Sequence, residues 1–285
     1  MLVGVRKNRQ VIEDRWVAFV RGHRGWFWCA LAAYAAAVTF PHEWVQTQCS
    51  ALAIRITHVR LWQLSAVVGF IEVAAFTALL ARKLAGHAQR RFVLGLWAMT
   101  LALILFAWRM FTANNLELVH YPQYFPEGML LAILTLSPAD TLSWIAILGG
   151  LDEGYQYWVL SRGRPTVFDF NDIYMDLLGG AAGMVFAMAF VRLSRRRPGT
   201  GVLALVSTLA AGAVLWMTGR MLPVEDAANR TAWFGLGRLQ APSFWVQVQS
   251  NGPYHYHTLT PLEGVVMISV TIALYTMLCR RQRAR

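Results

Sequence analysis

The sequence predicts an all-α fold, a polytopic transmembrane helical bundle of about eight spans with both termini in the cytoplasm. Three observations predict it. Of the 285 residues, 56% are hydrophobic and only 14% charged, and mean hydropathy is +0.42, so there is too little charged surface to coat a water-soluble globule. Apolar stretches recur at about the 20 residues needed to cross ~30 Å of hydrocarbon at ~1.5 Å per residue. The net charge of +11 gathers in Arg and Lys clusters at the ends of those stretches, as the positive-inside rule places them. It does not form the aromatic-interleaved basic face of a nucleic-acid binder, so membrane lipids are the expected partner and nucleic acid is not.

Taken in order, a basic leader over 1–24 (Arg6, Lys7, Arg9, Arg15, Arg21, Arg24) precedes the first apolar run, 25–40. That run ends at Pro41-His42-Glu43 without a small-residue cleavage site, which predicts a retained helix rather than a signal peptide. Residues 41–63, with Trp44, Arg55, His58, Arg60 and Trp62, read as an outer loop. Spans follow at 64–81 and 92–111, joined by Arg82, Lys83, Arg90 and Arg91. The next two, 117–136 and 141–158, are interrupted by polar residues, and Pro122 and Pro126 predict a bent or re-entrant start for the first of them. Spans at 172–193, 201–218 and 261–279 complete the series.

With the leader in the cytoplasm, Arg82 to Arg91, Arg192 to Arg197 and the tail from Arg280 to Arg285 all fall inside only if the number of spans is even. The expected location is a bacterial inner membrane. Residues 25–193 read as a core, and 194–285 as an added module of two spans around a long outer loop, 220–260. The aromatics of that loop, among them Trp233, Phe244 and Trp245, favour packing on the membrane surface. The three cysteines form no CxxC pattern.

This threading brings the outer ends of the fourth, fifth and sixth spans to one rim. Glu117, His120, Tyr121 and Tyr124 fall at i, i+3, i+4 and i+7, Asp152, Glu153 and Gln156 close the fifth span, and Asp172, Asp176, Gly179 and Gly183 fall at i, i+4, i+7 and i+11. A charge at the centre of a span costs ~2.5–3.5 kcal/mol on the translocon scale, so a set this dense points to a mutually satisfied polar site. Gly179-x-x-x-Gly183 lets a second helix approach closely behind it.

Two readings of the site stay open besides non-catalytic binding of a ligand. One is a buried network that ties three helices together. The other is a site where His120, Glu153 and Glu117 do general acid–base chemistry, Arg164 and Arg162 grip an anion, and Gln156, Tyr121 and Tyr124 contact the substrate. In that reading Asp172 and Asp176 orient the imidazole or hold a divalent metal, although no HExxH-like motif is present and no cofactor is expected. Glu72 stands alone in its span, with Arg109 or His120 as candidate partners. Tyr254-His255-Tyr256-His257 reads as loop packing rather than as a metal site.

The order Glu117-x-x-His120-Tyr121-x-x-Tyr124, Asp152-Glu153-x-x-Gln156, Gly163-Arg164 and Asp172-x-x-x-Asp176-x-x-Gly179-x-x-x-Gly183 resembles the VanZ-like membrane protein family over roughly 64–193. It departs in having Asp176 where that family usually has Asn, and in Pro122 and Pro126. The family's founding members are associated with resistance to teicoplanin-type glycopeptides at the cell envelope. The resemblance therefore implies an envelope role, and a rim at headgroup level would suit a polyprenyl phosphate or lipid-linked sugar. The alternative is a non-catalytic subunit of a larger membrane complex.

Overall fold

The structure is a computed structural model that describes residues 18–20, 22–112, 115–160, 168–193, 199–222, 234–235, 244–247 and 255–283. Most of the basic leader, the Arg162–Arg164 turn, Arg195 to Arg197 and Trp233 lie outside the described residues. The fold is all-α apart from two pairs of two-residue strands. The helices are α1 (Arg24–Thr39), α2 (His42–Ile56), α3 (His58–Lys83), α4 (Arg90–Phe111), α5 (His120–Thr135), α6 (Pro138–Tyr155), α7 (Phe170–Ala187), α8 (Thr200–Met217) and α9 (Pro261–Arg283). Between α8 and α9, Met221–Leu222 pairs in parallel with Phe234–Gly235, and Val246–Gln247 pairs antiparallel with His255–Tyr256.

Four of these helices are long and apolar enough to cross a membrane: α3, α4, α8 and α9. The other expected spans are shorter or more polar. With 16 residues each, α1 and α5 reach only ~24 Å, short of ~30 Å of hydrocarbon. Asp140, Asp152 and Glu153 of α6 and Asp176 of α7 are enclosed by the surrounding helices, Asp172 is part-buried, and nearly all of α7 is buried. The expected loop over 41–63 is instead α2 followed directly by α3. Its residues are mostly tolerant of a helix, Glu43 and Arg55 sit at the ends that the helix dipole favours, and Thr57, at φ 74°, makes the turn into α3.

The core is α5, α6 and α7. A Cβ at Gly128 would collide with the Gly180 carbonyl, one at Gly183 with the Phe125 carbonyl, and one at Gly179 would stand 2.6 Å from the Tyr121 carbonyl oxygen. Glycine at these places lets α5 and α7 meet backbone to backbone, and the pairs 121 with 179 and 125 with 183 make the two helices parallel. Between them α6 runs antiparallel, with Gly149 against Asp176 and Ile145 against Gly180. Local chemistry sets the boundaries. Leu136, at φ 55°, ends α5, the Ser137 side chain caps α6 with Pro138 in its first turn, and the Asp169 side chain accepts the Asn171 N–H at the start of α7.

The fourth predicted span does begin with a joint. A 3₁₀ turn, Asn115–Val119, runs into α5, where Pro122 falls in the first turn and so breaks no intrahelical bond. Around the core, the Arg24 guanidinium donates to the Leu134 carbonyl (3.2 Å) and the Tyr34 hydroxyl to the Gln123 carbonyl (2.9 Å), which holds α1 against α5. Lys83 lies 4.8 Å over the Phe190 ring. Arg24, Lys83 and the start of α8 thus share the end of the bundle where α5 stops and α6 begins. The opposite end holds the starts of α5 and α7 and the Phe40–Tyr155 ring contact.

Because α5 and α7 touch through backbone, Gly128→Ala is expected to cost about 2 kcal/mol of stability. A Cβ at Gly150 meets nothing within 4 Å, and Gly150→Ala should leave stability within about 1 kcal/mol of the parent. Thermal unfolding of both variants in the same detergent measures the contrast.

Candidate functional site

Parallel packing of α5 on α7 sets the first turn of α5 beside the second and third turns of α7, and antiparallel α6 brings its last turn to the start of α7. His120 opens α5 and is buried. Its Nδ1 lies 2.9 Å from Asp176 Oδ1, and its Nε2 lies 3.6 Å from Asp172 Oδ2, an ion-pair distance too long for a hydrogen bond. The Asp176 side chain is fully enclosed while that of Asp172 is 20% exposed, so Asp176 is the deep carboxylate that fixes the ring and Asp172 stands at the mouth. Gly149 makes this possible, because a Cβ there would lie 2.7 Å from Asp176 Oδ2.

Glu153 is also buried, and both its oxygens are engaged. Oε1 accepts from Gln156 Nε2 at 3.0 Å, and Oε2 accepts the Asp169 backbone N–H at 3.0 Å, which ties the end of α6 to the start of α7. Gln156 also donates to Asp152 Oδ2 at 3.2 Å. It begins a π-helical turn, Gln156–Leu160, a geometry often found at functional sites. Asp152 Oδ1 is buried without a hydrogen-bond partner among the described residues.

The sequence-predicted residues therefore separate into groups. His120, Asp172 and Asp176 form one constellation, with Glu153, Gln156 and Asp152 beside it. Glu117 lies in the 3₁₀ turn before α5. Tyr124 is 2% exposed and is a core residue rather than part of the mouth. Tyr121 is buried with its hydroxyl directed at the Ile104 carbonyl of α4 (3.5 Å), away from the substrate-contact position expected for it. Gly179 and Gly183 face α5. Arg162 and Arg164 lie outside the described residues. Neither Arg109 nor His120 partners Glu72: His120 pairs with the two aspartates, and Arg109 lies beside Trp245 and His255. Among the described residues no three His, Cys, Asp or Glu side chains are grouped so as to hold a metal ion.

Three buried polar residues escaped the sequence reading. Glu127, 1% exposed, has an Oε2 without a hydrogen-bond partner among the described residues. It extends the helical stripe of His120 and Tyr124, a signal present in the spacing. Asp140 is the fourth residue of Ser137-Pro138-Ala139-Asp140, a capping-box spacing, yet its Oδ1 caps another helix by accepting Gly199 N–H (2.9 Å) and Val202 N–H (3.1 Å) at the start of α8. Asn171 Nδ2 donates to the Phe111 and His257 carbonyls, both at 2.9 Å, and its Oδ1 accepts the Leu259 N–H at 2.8 Å. His257 stacks on Phe244 with ring centroids 4.0 Å apart and its Nδ1 lies 2.8 Å from the Phe244 carbonyl oxygen, while His255 and Tyr256, expected in a loop, form a short strand paired with Val246 and Gln247.

Comparison with protein-family models, with curated proteins and with solved structures found no match to this chain.

Replacing Asn171 by Ala strands two carbonyls and one N–H in a buried place, and is expected to cost about 3 kcal/mol. A thermal-unfolding midpoint unchanged from the parent would show that these bonds do not hold α4, α7 and α9 together.

Proposed function

We propose that the protein is a VanZ-like integral membrane protein of the bacterial inner membrane, with about eight spans and both termini cytoplasmic. Its α5–α7 centre opens to the extracytoplasmic side and binds or processes an anionic amphiphile such as a polyprenyl phosphate or lipid-linked sugar. The observation that carries this reading is the imidazole of His120 held by the enclosed carboxylate of Asp176 with its second nitrogen turned toward the part-buried carboxylate of Asp172. A carboxylate that fixes one ring nitrogen leaves the other to take or give a proton, which is general acid–base work. Glu153, with both oxygens engaged, serves this centre by positioning the entry to α7, and His120 is the better-placed base. Arg164 is the proposed anion clamp. The gathering of Arg24, Lys83 and the start of α8 at the opposite end supports the orientation.

A second reading, a non-catalytic subunit of a larger membrane complex, is favoured by the engagement of Glu153, Gln156 and Asn171 in ties between helices. Gly179 and Gly183 are occupied by α5, so a partner would need another face.

Folded His120→Ala and Asp176→Ala variants should each lose about 10²-fold or more of the activity in an envelope or teicoplanin-protection assay. Full activity in folded His120→Ala would remove the acid–base reading. Alkaline phosphatase fused after Arg164 should be active, and fused after Gly86 or at the carboxyl terminus inactive; the reverse pattern would invert the proposed orientation.

A further inference from the structure

A second cavity lies between α3, α4 and α5, with a volume of about 420 Å³, within the range of small-molecule sites. Ala66, Gly69, Val73 and Phe76 give it one wall at helical spacing along α3. Trp97 closes one end, where its Nε1 donates to Thr77 Oγ1 at 2.8 Å, and Phe76 packs there against Phe125 with ring centroids 4.5 Å apart. Both α3 and α4 are long and apolar enough to cross a membrane, which would set the slot among lipid chains.

Two features of the slot are out of keeping with a surface wetted only by lipid chains. Glu72 lines it, and among the described residues no hydrogen bond or ion pair reaches that carboxyl. A lone carboxylate on a membrane-crossing helix is costly, and such residues face a partner or a polar pathway. Gly69 lies on the same wall, one turn before Glu72, in a helix interior where glycine is unfavourable. A Cβ at Gly69 would meet nothing within 4 Å, so packing within the protein does not require the glycine, and its effect is to keep the slot wide beside Glu72.

We propose that this slot is a binding site for a long-chain amine, with the apolar chain against the aromatic and aliphatic walls and the ammonium paired with Glu72. Charge complementarity selects the amine, because pairing with an ammonium holds the group as a carboxylate, which a carbodiimide does not attack, whereas an alcohol or an alkane leaves the reactive acid form available. The site is independent of the proposed chemistry at His120.

The test uses the full chain in phosphatidylcholine nanodiscs, treated with dicyclohexylcarbodiimide. A protonated carboxyl adds its O–H across one C=N bond of the reagent, and the resulting O-acylisourea rearranges to a stable N-acylurea that peptide mass spectrometry locates. Glu72 should be modified, and dodecylamine should slow its modification at least five-fold while dodecanol and dodecane do not. Equilibrium dialysis of dodecylamine should show one saturable site, weakened at least ten-fold in Glu72→Gln and in Gly69→Phe, which fills the slot from an open position. Failure of Glu72 to react, equal protection by dodecanol or dodecane, or undiminished dodecylamine binding in Glu72→Gln would each overturn the proposal. If Gly69→Phe does not fold, Glu72→Gln decides it.

Discussion

The backbone contact between α5 and α7 fixes where everything else can go. Two helices that touch through side chains stand 8–10 Å apart, with room for adjustment. Here Gly128, Gly179 and Gly183 remove the side chains from the seam, so carbonyls and Cα atoms set the distance and the register together. In a lipid environment, where apolar side chains gain little by leaving one hydrocarbon for another, close packing of this kind is a main source of helix association. The register then sets the first turn of α5 beside the second and third turns of α7, where the His120 imidazole reaches Asp176 and, one turn earlier, Asp172.

Around that seam the peripheral helices are held by a different device, polar side chains that finish the hydrogen bonding of another helix's end. Asp140 caps α8 from within α6, Arg24 answers the Leu134 carbonyl at the end of α5, and Asn171 serves the end of α4 and the approach to α9. Helix ends carry unpaired backbone groups, and where water is scarce these need partners from the protein. Several of the polar residues in this apolar chain are accounted for in this way, without reference to chemistry.

How much of this was legible in the sequence depends on whether the signal was local. The stripe of His120 with Tyr124, and the spacing of Asp172, Asp176, Gly179 and Gly183, are local patterns, and they led to the residues that the structure brings together. Hydropathy found α3, α4, α8 and α9, which are long and apolar enough to cross a membrane, because such a helix must be apolar along its length. It gave no way to recognise α2, whose mixed composition reads equally well as a loop. Glu127 was passed over because it stands between Pro126 and Gly128 in a stretch read for its apolar residues. Gly128 makes sense only beside Gly180, and Asn171 only beside partners 60 and 86 residues away in the chain. Sequence marks Glu153 as a candidate base but cannot show that the Asp169 N–H donates to one of its oxygens.

Asn171 immediately precedes Asp172, and the segment it grips, His257 and Leu259, is the downstream anchor of the long connection between α8 and α9. One amide thus joins the entry to α9 to the amino end of α7, a single residue before the carboxylate that faces the imidazole.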